Sequence, residues 1–108
     1  MKLLETVYEI DIGGIVTDAK DITFREVLND DIRRMVEVKI RGGAVLAKHK
    51  AEQPITVLCL SGTGTFTAGA ELDSGTPIKP GTIVTLDASV EHAVSADTDL
   101  HILVTKFK

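Results

Sequence analysis

Aromatic residues are scarce in this chain: they make up 4% of 108 residues, and there is no tryptophan. A core of normal density must then be built from branched aliphatic side chains, which favour strands. There is one cysteine, Cys59, so no disulfide can form within the chain, which fits a reducing compartment. No stretch approaches the roughly 20 apolar residues that a membrane helix needs. The opening Met1-Lys2-Leu3-Leu4-Glu5 reaches an acid too soon for a secretory leader. A cytoplasmic protein with no membrane partner is expected. Positive charge is also short: 12 Lys and Arg face 16 Asp and Glu, for a formal net charge of -4 at pH 7. Such a chain gains nothing by approaching a phosphate backbone, so nucleic acid is not expected as a partner.

What is present is alternation. Val36, Val38 and Ile40 alternate with Glu37, Lys39 and Arg41, the pattern of a strand with one buried and one wet face. Tyr8, Ile10 and Ile12 share one parity and predict an N-terminal strand, closed by Gly13-Gly14. Phe24 to Asp31 fits either an irregular strand or a single helical turn. Ala44 to His49 and the nearly continuous apolar run Ile55 to Leu60 predict two further strands. Ser61-Gly62-Thr63-Gly64 reads as a hairpin turn, with Thr65 to Thr67 as the returning strand. Leu72 to Ile78 reads as turn-rich, and Lys79-Pro80-Gly81-Thr82 as a tight turn with its φ preset by Pro80. Ile83 to Leu86, Ala93-Val94 and Leu100 to Val104 complete the set. Short strands punctuated at this spacing predict an all-β sandwich or barrel, in one domain spanning residues 1–108.

Two segments resemble the paired motifs of the cupin family. From Gly43 to Gly62 the spacing follows Gly, five residues, His-x-His, three or four residues, Glu, six residues, Gly. Gly43, His49 and Gly62 match, while Ala51 stands at the second histidine and Ile55 at the glutamate. From Gly81 to Ala96 the pattern is Gly, five residues, Pro-x-Gly, two residues, His, three residues, Asn. Gly81 and His92 match, whereas Asp87-Ala88-Ser89 replaces Pro-x-Gly and Ala96 replaces Asn. The resemblance spans about residues 34–105 and implies an RmlC-like double-stranded β-helix, the cupin jelly-roll barrel. Of the family's three-His, one-Glu metal set, only His49 and His92 remain.

The resemblance implies that His49 and His92 approach each other across a cavity. Ala51, Ile55, Val57, Cys59 and Val94 are expected around them, with Val38, Val45 and Ala47 completing an apolar lining. Such a cavity is expected to take a small-molecule ligand. Alternatively, the histidines hold one divalent transition metal with solvent or an oxygen from Glu52 or Gln53, and the barrel is an oxygenase or isomerase. A third use, as a storage or structural barrel, suits so short a chain poorly. Epimerases on this fold that pair His with Tyr are a poor match, because Tyr8 is the only tyrosine.

Other features have plainer meanings. By parity, His101 belongs on the outside or rim, opposite Leu100, Ile102 and Val104. Cys59 reads as a small buried hydrophobe with no cation nearby to activate it. Gly62-Thr63-Gly64 lacks the third glycine, the lysine and the helix of a phosphate loop. Arg33-Arg34 and Lys48/Lys50 read as strand-edge charges, or as a basic rim that attracts a carboxylate. A homodimer is expected, with Leu4 to Ile12 adding to a neighbour's sheet edge.

Overall fold

Alternating aliphatic and polar residues can bury one side of a strand only against a second layer. The computed structural model describes residues 7–12, 20–69 and 74–108, and among these the regular structure is all β. The strands are β1 (Ile22–Asn29), β2 (Arg33–Ile40), β3 (Val45–His49), β4 (Ile55–Ser61), β5 (Gly64–Ala68), β6 (Ser74–Ile78), β7 (Ile83–Leu86), β8 (His92–Ala96) and β9 (Leu100–Phe107). They form a five-stranded sheet in the order β1-β2-β9-β4-β7 and a four-stranded sheet in the order β3-β8-β5-β6. Every pairing is antiparallel. Val36, Val38, Ile40, Val57, Ile102 and Val94 are buried where the two sheets face each other. No helix among the described residues is long and apolar enough to cross a membrane.

Several sequence expectations change. Phe24 to Asn29 belongs to the strand β1, which ends before Asp30 and has a register shift between Glu26 and Leu28. A β-bulge of this kind breaks the alternation that would have revealed a strand. Residues 7–12 form no strand: Tyr8 is 51% and Ile12 58% exposed, and only Ile10 of that parity is half-buried. Leu4 and the Gly13-Gly14 pair lie outside the described residues. The stretch before Lys79 contains the strand β6, although Leu72 itself lies outside the described residues.

Ser61 to Gly64 is not a hairpin. β4 pairs with β7 and β9, whereas β5 pairs with β6 and β8, so this turn carries the chain from one sheet to the other. Gly62 is required there. Its φ is +82°, and a Cβ would sit 2.1 Å from the carbonyl oxygen of Asp99. The Lys79–Thr82 turn forms as expected, closed by a hydrogen bond from the Thr82 N–H to the Lys79 carbonyl at 2.9 Å.

Candidate functional site

The site is built where β3 and β8 pair. Val45 faces Ser95, Leu46 faces Val94, and His49 faces His92. Three steps on β3 therefore match two on β8, which is a bulge. Strict alternation would put Val45, Ala47 and His49 on one face. The extra residue resets the phase, so Leu46 and His49 both line the cavity, while Val45 and Ala47 are exposed. The expected lining by Val45 and Ala47 is thus corrected, and Leu46 takes their place.

The loop before β8 brings the second histidine into position. Ser89 holds a left-handed backbone with φ of 65°, at the position where the resemblance has glycine. Its N–H donates to the Ala51 carbonyl at 2.8 Å, which ties this loop to the segment after His49. Lys48 and Glu91 add an ion pair at 3.1 Å between the same segments.

The imidazoles of His49 and His92 lie with ring centroids 4.1 Å apart at an interplanar angle of 60°. His49 is exposed at the mouth, whereas His92 is buried and stacks on Phe66 with centroids 5.6 Å apart. Nδ1 of His49 lies 2.9 Å from the Ala47 carbonyl, and Nδ1 of His92 lies 3.0 Å from the Val90 carbonyl. A carbonyl oxygen only accepts, so each Nδ1 carries the proton and each Nε2 keeps a lone pair. Burial, chiefly, lowers the pKa of His92 below the ordinary histidine value; the charges of His49 and Lys106 act in the same direction. His92 is therefore neutral near pH 7.

These rings open onto a cavity of about 190 Å³. Val36, Val38, Ile55, Val57, Val94 and Ile102 form its apolar wall, and Ala51 also lines it. Cys59, expected on the same wall, is 2% exposed and does not line the cavity. Its thiol lies 3.7 Å from both the Ser61 and Gly62 carbonyls, and burial raises its pKa. The thiol is accordingly a poor nucleophile.

Arg34, Lys50 and Lys106 also line the cavity, and no acidic side chain does among the described residues. Only Lys50 and Arg34 figured in the sequence-based rim. Arg34 shares the inward parity of Val36 and Val38, and Lys106 that of Ile102 and Val104; extending either stripe by one alternate residue would have found both. Arg33 lies on the other face, and Lys48 is committed to Glu91.

His101 is buried at 1% rather than at the rim, and Glu37 at 4% rather than on a wet face. They share the sheet face opposite the cavity. Nε2 of His101 donates to Glu37 Oε1 at 2.6 Å, and Arg25 pairs with Glu37 Oε2 at 2.6 Å. Burial works against the Glu37 charge, but Arg25 and His101 outweigh it and hold the carboxyl below its ordinary pKa. Neither residue could be assigned inside by alternation, because their burial depends on this pairing.

The chain superposes on solved structures over nearly its whole length. An RmlC-like cupin protein from Desulfovibrio desulfuricans is 22% identical, covers 94% of this chain and 95% of its own, and gives a TM-score of 0.81. The fold is that of the cupins. A cupin superfamily protein from Desulfitobacterium hafniense is 14% identical over 86% of this chain and 83% of its own, with a TM-score of 0.76. The salicylate 1,2-dioxygenase of Pseudoaminobacter salicylatoxidans, solved with gentisate, is 14% identical over 80% of this chain and 25% of its own, at a TM-score of 0.73. Neither a protein-family model nor a curated protein matches the sequence. In this cupin barrel the two retained motif histidines are cross-strand partners, and the replaced positions Ala51 and Ile55 line the cavity beside them.

Proposed function

We propose that this cupin barrel binds one small organic molecule, held over the aliphatic wall by the two histidines. The observation that carries this reading is the His49–His92 pair, in which both Nδ1 atoms are committed to backbone carbonyls. Neither Nε2 has a hydrogen-bond partner among the described residues. A cavity of about 190 Å³ suits a molecule smaller than a drug, since sites for drug-sized ligands begin at about 300 Å³. Protein-observed NMR against a panel of small metabolites tests the reading. The signals of His49, His92 and the Val57 and Val94 methyls are expected to move together, and those of His101 to stay. A guest that shifts only outer-face residues would contradict it.

A second reading, a metal-dependent enzyme of the dioxygenase or isomerase kind, has one feature in its favour. Histidine ligands are commonly oriented by an Nδ1–H bond to a carbonyl, and both rings here have one. The donor set does not fit it. A catalytic zinc site takes about three protein ligands, and no cluster of three His, Cys, Asp or Glu side chains exists among the described residues. Ala51 and Ile55 supply no donor atom. Stoichiometric metal in untagged protein, lost in the His49→Ala, His92→Ala double variant, would establish this reading over the first.

Pairing of two copies belongs to the same proposal. Phe24 on β1 is 63% exposed and Ile83 on β7 is 62% exposed, which leaves apolar side chains on both edge strands of the larger sheet. Light scattering that finds only an 11.6 kDa species would remove it.

A further inference from the structure

The charge inside the cavity runs against the charge of the molecule. The chain carries a formal net charge of -4, yet among the described residues the charged side chains lining the cavity are Arg34, Lys50 and Lys106, all cationic. Two of them are placed with particular cost. Arg34 on β2 and Lys106 on β9 are direct cross-strand partners, and both follow the inward parity of their strands. Like charges directly opposite each other destabilise a sheet. Arg34 is partly compensated by Glu26, with Arg34 Nε 2.8 Å from Oε1. Lys106 is half-buried and has neither an ion pair nor a hydrogen bond to any described residue. A half-buried ammonium beside a second cation is relieved by an anion that enters from outside.

The histidines ask for something different. Their Nε2 atoms are acceptors, because each ring's proton is on Nδ1. An ionised carboxylate has no hydrogen to offer them. The guest must also carry a donor, a hydroxyl or an N–H, within reach of the imidazoles. Between the two polar clusters lies the aliphatic wall, and a cavity of about 190 Å³ leaves room for a short branched chain or a single ring.

We infer that the cavity takes a small hydroxy-carboxylate, whose carboxylate meets Lys106, Arg34 and Lys50 and whose hydroxyl donates to the histidines. This rests on the small-molecule reading above and names the chemical class for the same site. The apolar wall selects against a bare, fully hydrated oxyanion, since nothing there replaces the water such an ion would lose.

Calorimetric titration of the full chain tests the inference with six probes: 3-hydroxybenzoate, 3-hydroxybenzamide, benzoate, inorganic phosphate, and 2-hydroxyisovalerate and its amide as an aliphatic pair. The hydroxy acid of at least one pair is expected to bind. Its amide, which keeps the hydroxyl but loses the charge, is expected to bind about ten-fold more weakly or worse, as is benzoate, which lacks the donor. Lys106→Met is expected to abolish the preference for acid over amide, and Lys50→Met to reduce it. Lys79→Met, on an exposed turn away from the cavity, leaves it unchanged. Raising the salt concentration weakens the acid and not the amide. Acid and amide binding equally would overturn the charge assignment while leaving the small-molecule reading in place. Benzoate binding as well as the hydroxy acids would overturn the donor assignment, and phosphate, which carries a hydroxyl of its own, binding as well as they do would overturn the part given to the apolar wall. Failure of every probe at millimolar concentration would remove the inference and count against the reading beneath it.

Discussion

The five-stranded sheet carries a polar cluster on each face, and the two are finished to different degrees. On the outer face Glu37 has a partner for each oxygen, Arg25 and His101, and lies 4% exposed. On the inner face Lys106 has no partner among the described residues, and the two histidines of the four-stranded sheet, which line the same cavity, keep an unused nitrogen each. Both clusters contain histidine, and both sit beside the same aliphatic core. A polar group whose partners lie within the fold contributes to stability, whereas one left without them is available to a guest. The outer cluster has one irregularity, since Nδ1 of His101 is buried with no hydrogen-bond partner among the described residues.

The sharpest way to break this comparison is to remove the hub of the outer cluster. Glu37→Leu leaves the buried His101 without its acceptor, and is expected to lower stability by about 3 kcal/mol. Denaturant titration reads the loss, and guest affinity is expected to be unchanged. The reverse experiment is His49→Gln at the exposed mouth. Guest binding is expected to fall about ten-fold, while stability stays within about 0.5 kcal/mol, as for other surface changes. If both substitutions weakened stability and binding alike, the two clusters would not be separable.

Acid should distinguish the clusters by the pH at which each fails. His92 has a folded pKa depressed below the ordinary 6.5, so the unfolded chain binds its proton first as pH falls. Its contribution is complete above 6.5 and is lost as pH falls through the folded value. Glu37 is also depressed, below an ordinary 4.5, so its contribution is complete above 4.5 and is lost at lower pH. Stability measured against pH should therefore decline in two stages. The upper stage is expected to vanish in His92→Gln and the lower to shrink in Glu37→Gln, where Asp30, also held below its ordinary value by the Ile32 and Arg33 N–H groups, still acts.

The smallest effect concerns the loop that delivers His92. Ser89 sits at φ 65°, which is strained for a residue with a Cβ. Ser89→Gly is expected to raise stability by up to about 1 kcal/mol, because glycine's larger unfolded-state entropy offsets part of the relief. A loss of stability would mean that the serine side chain contributes something beyond its backbone.

Most of the strand set was legible because the apolar stripes of β2 and β9 and the apolar run of β4 are buried as expected, Val36, Val38, Ile40, Ile55, Val57, Leu100 and Ile102 among them. Legibility failed where a local count was interrupted or a partner was distant. The bulge in β3 shifts phase between Leu46 and His49, so parity alone placed Val45 and Ala47 inside. The Ser61–Gly64 turn has hairpin chemistry, but its strands belong to different sheets, and only pairing over the whole barrel decides that. Glu37 and His101 are 64 residues apart, and neither is an inside residue without the other. The motif spacing did bring His49 and His92 together, because it counts through the bulge. Lys106 was overlooked for a simpler reason: the inward stripe of β9 was followed only as far as Val104.

The claim on which the rest depends is that residues 49 and 92 present unprotonated Nε2 atoms to a guest. Long-range proton–nitrogen NMR of the three imidazoles at pH 7.5 tests it most directly. Both cavity rings are expected as Nδ1–H tautomers, with His101 protonated at Nε2, and addition of a bound hydroxy acid is expected to shift Nε2 of residues 49 and 92 alone. Protons already resident on those two Nε2 atoms, or nitrogen signals indifferent to any bound guest, would contradict the account.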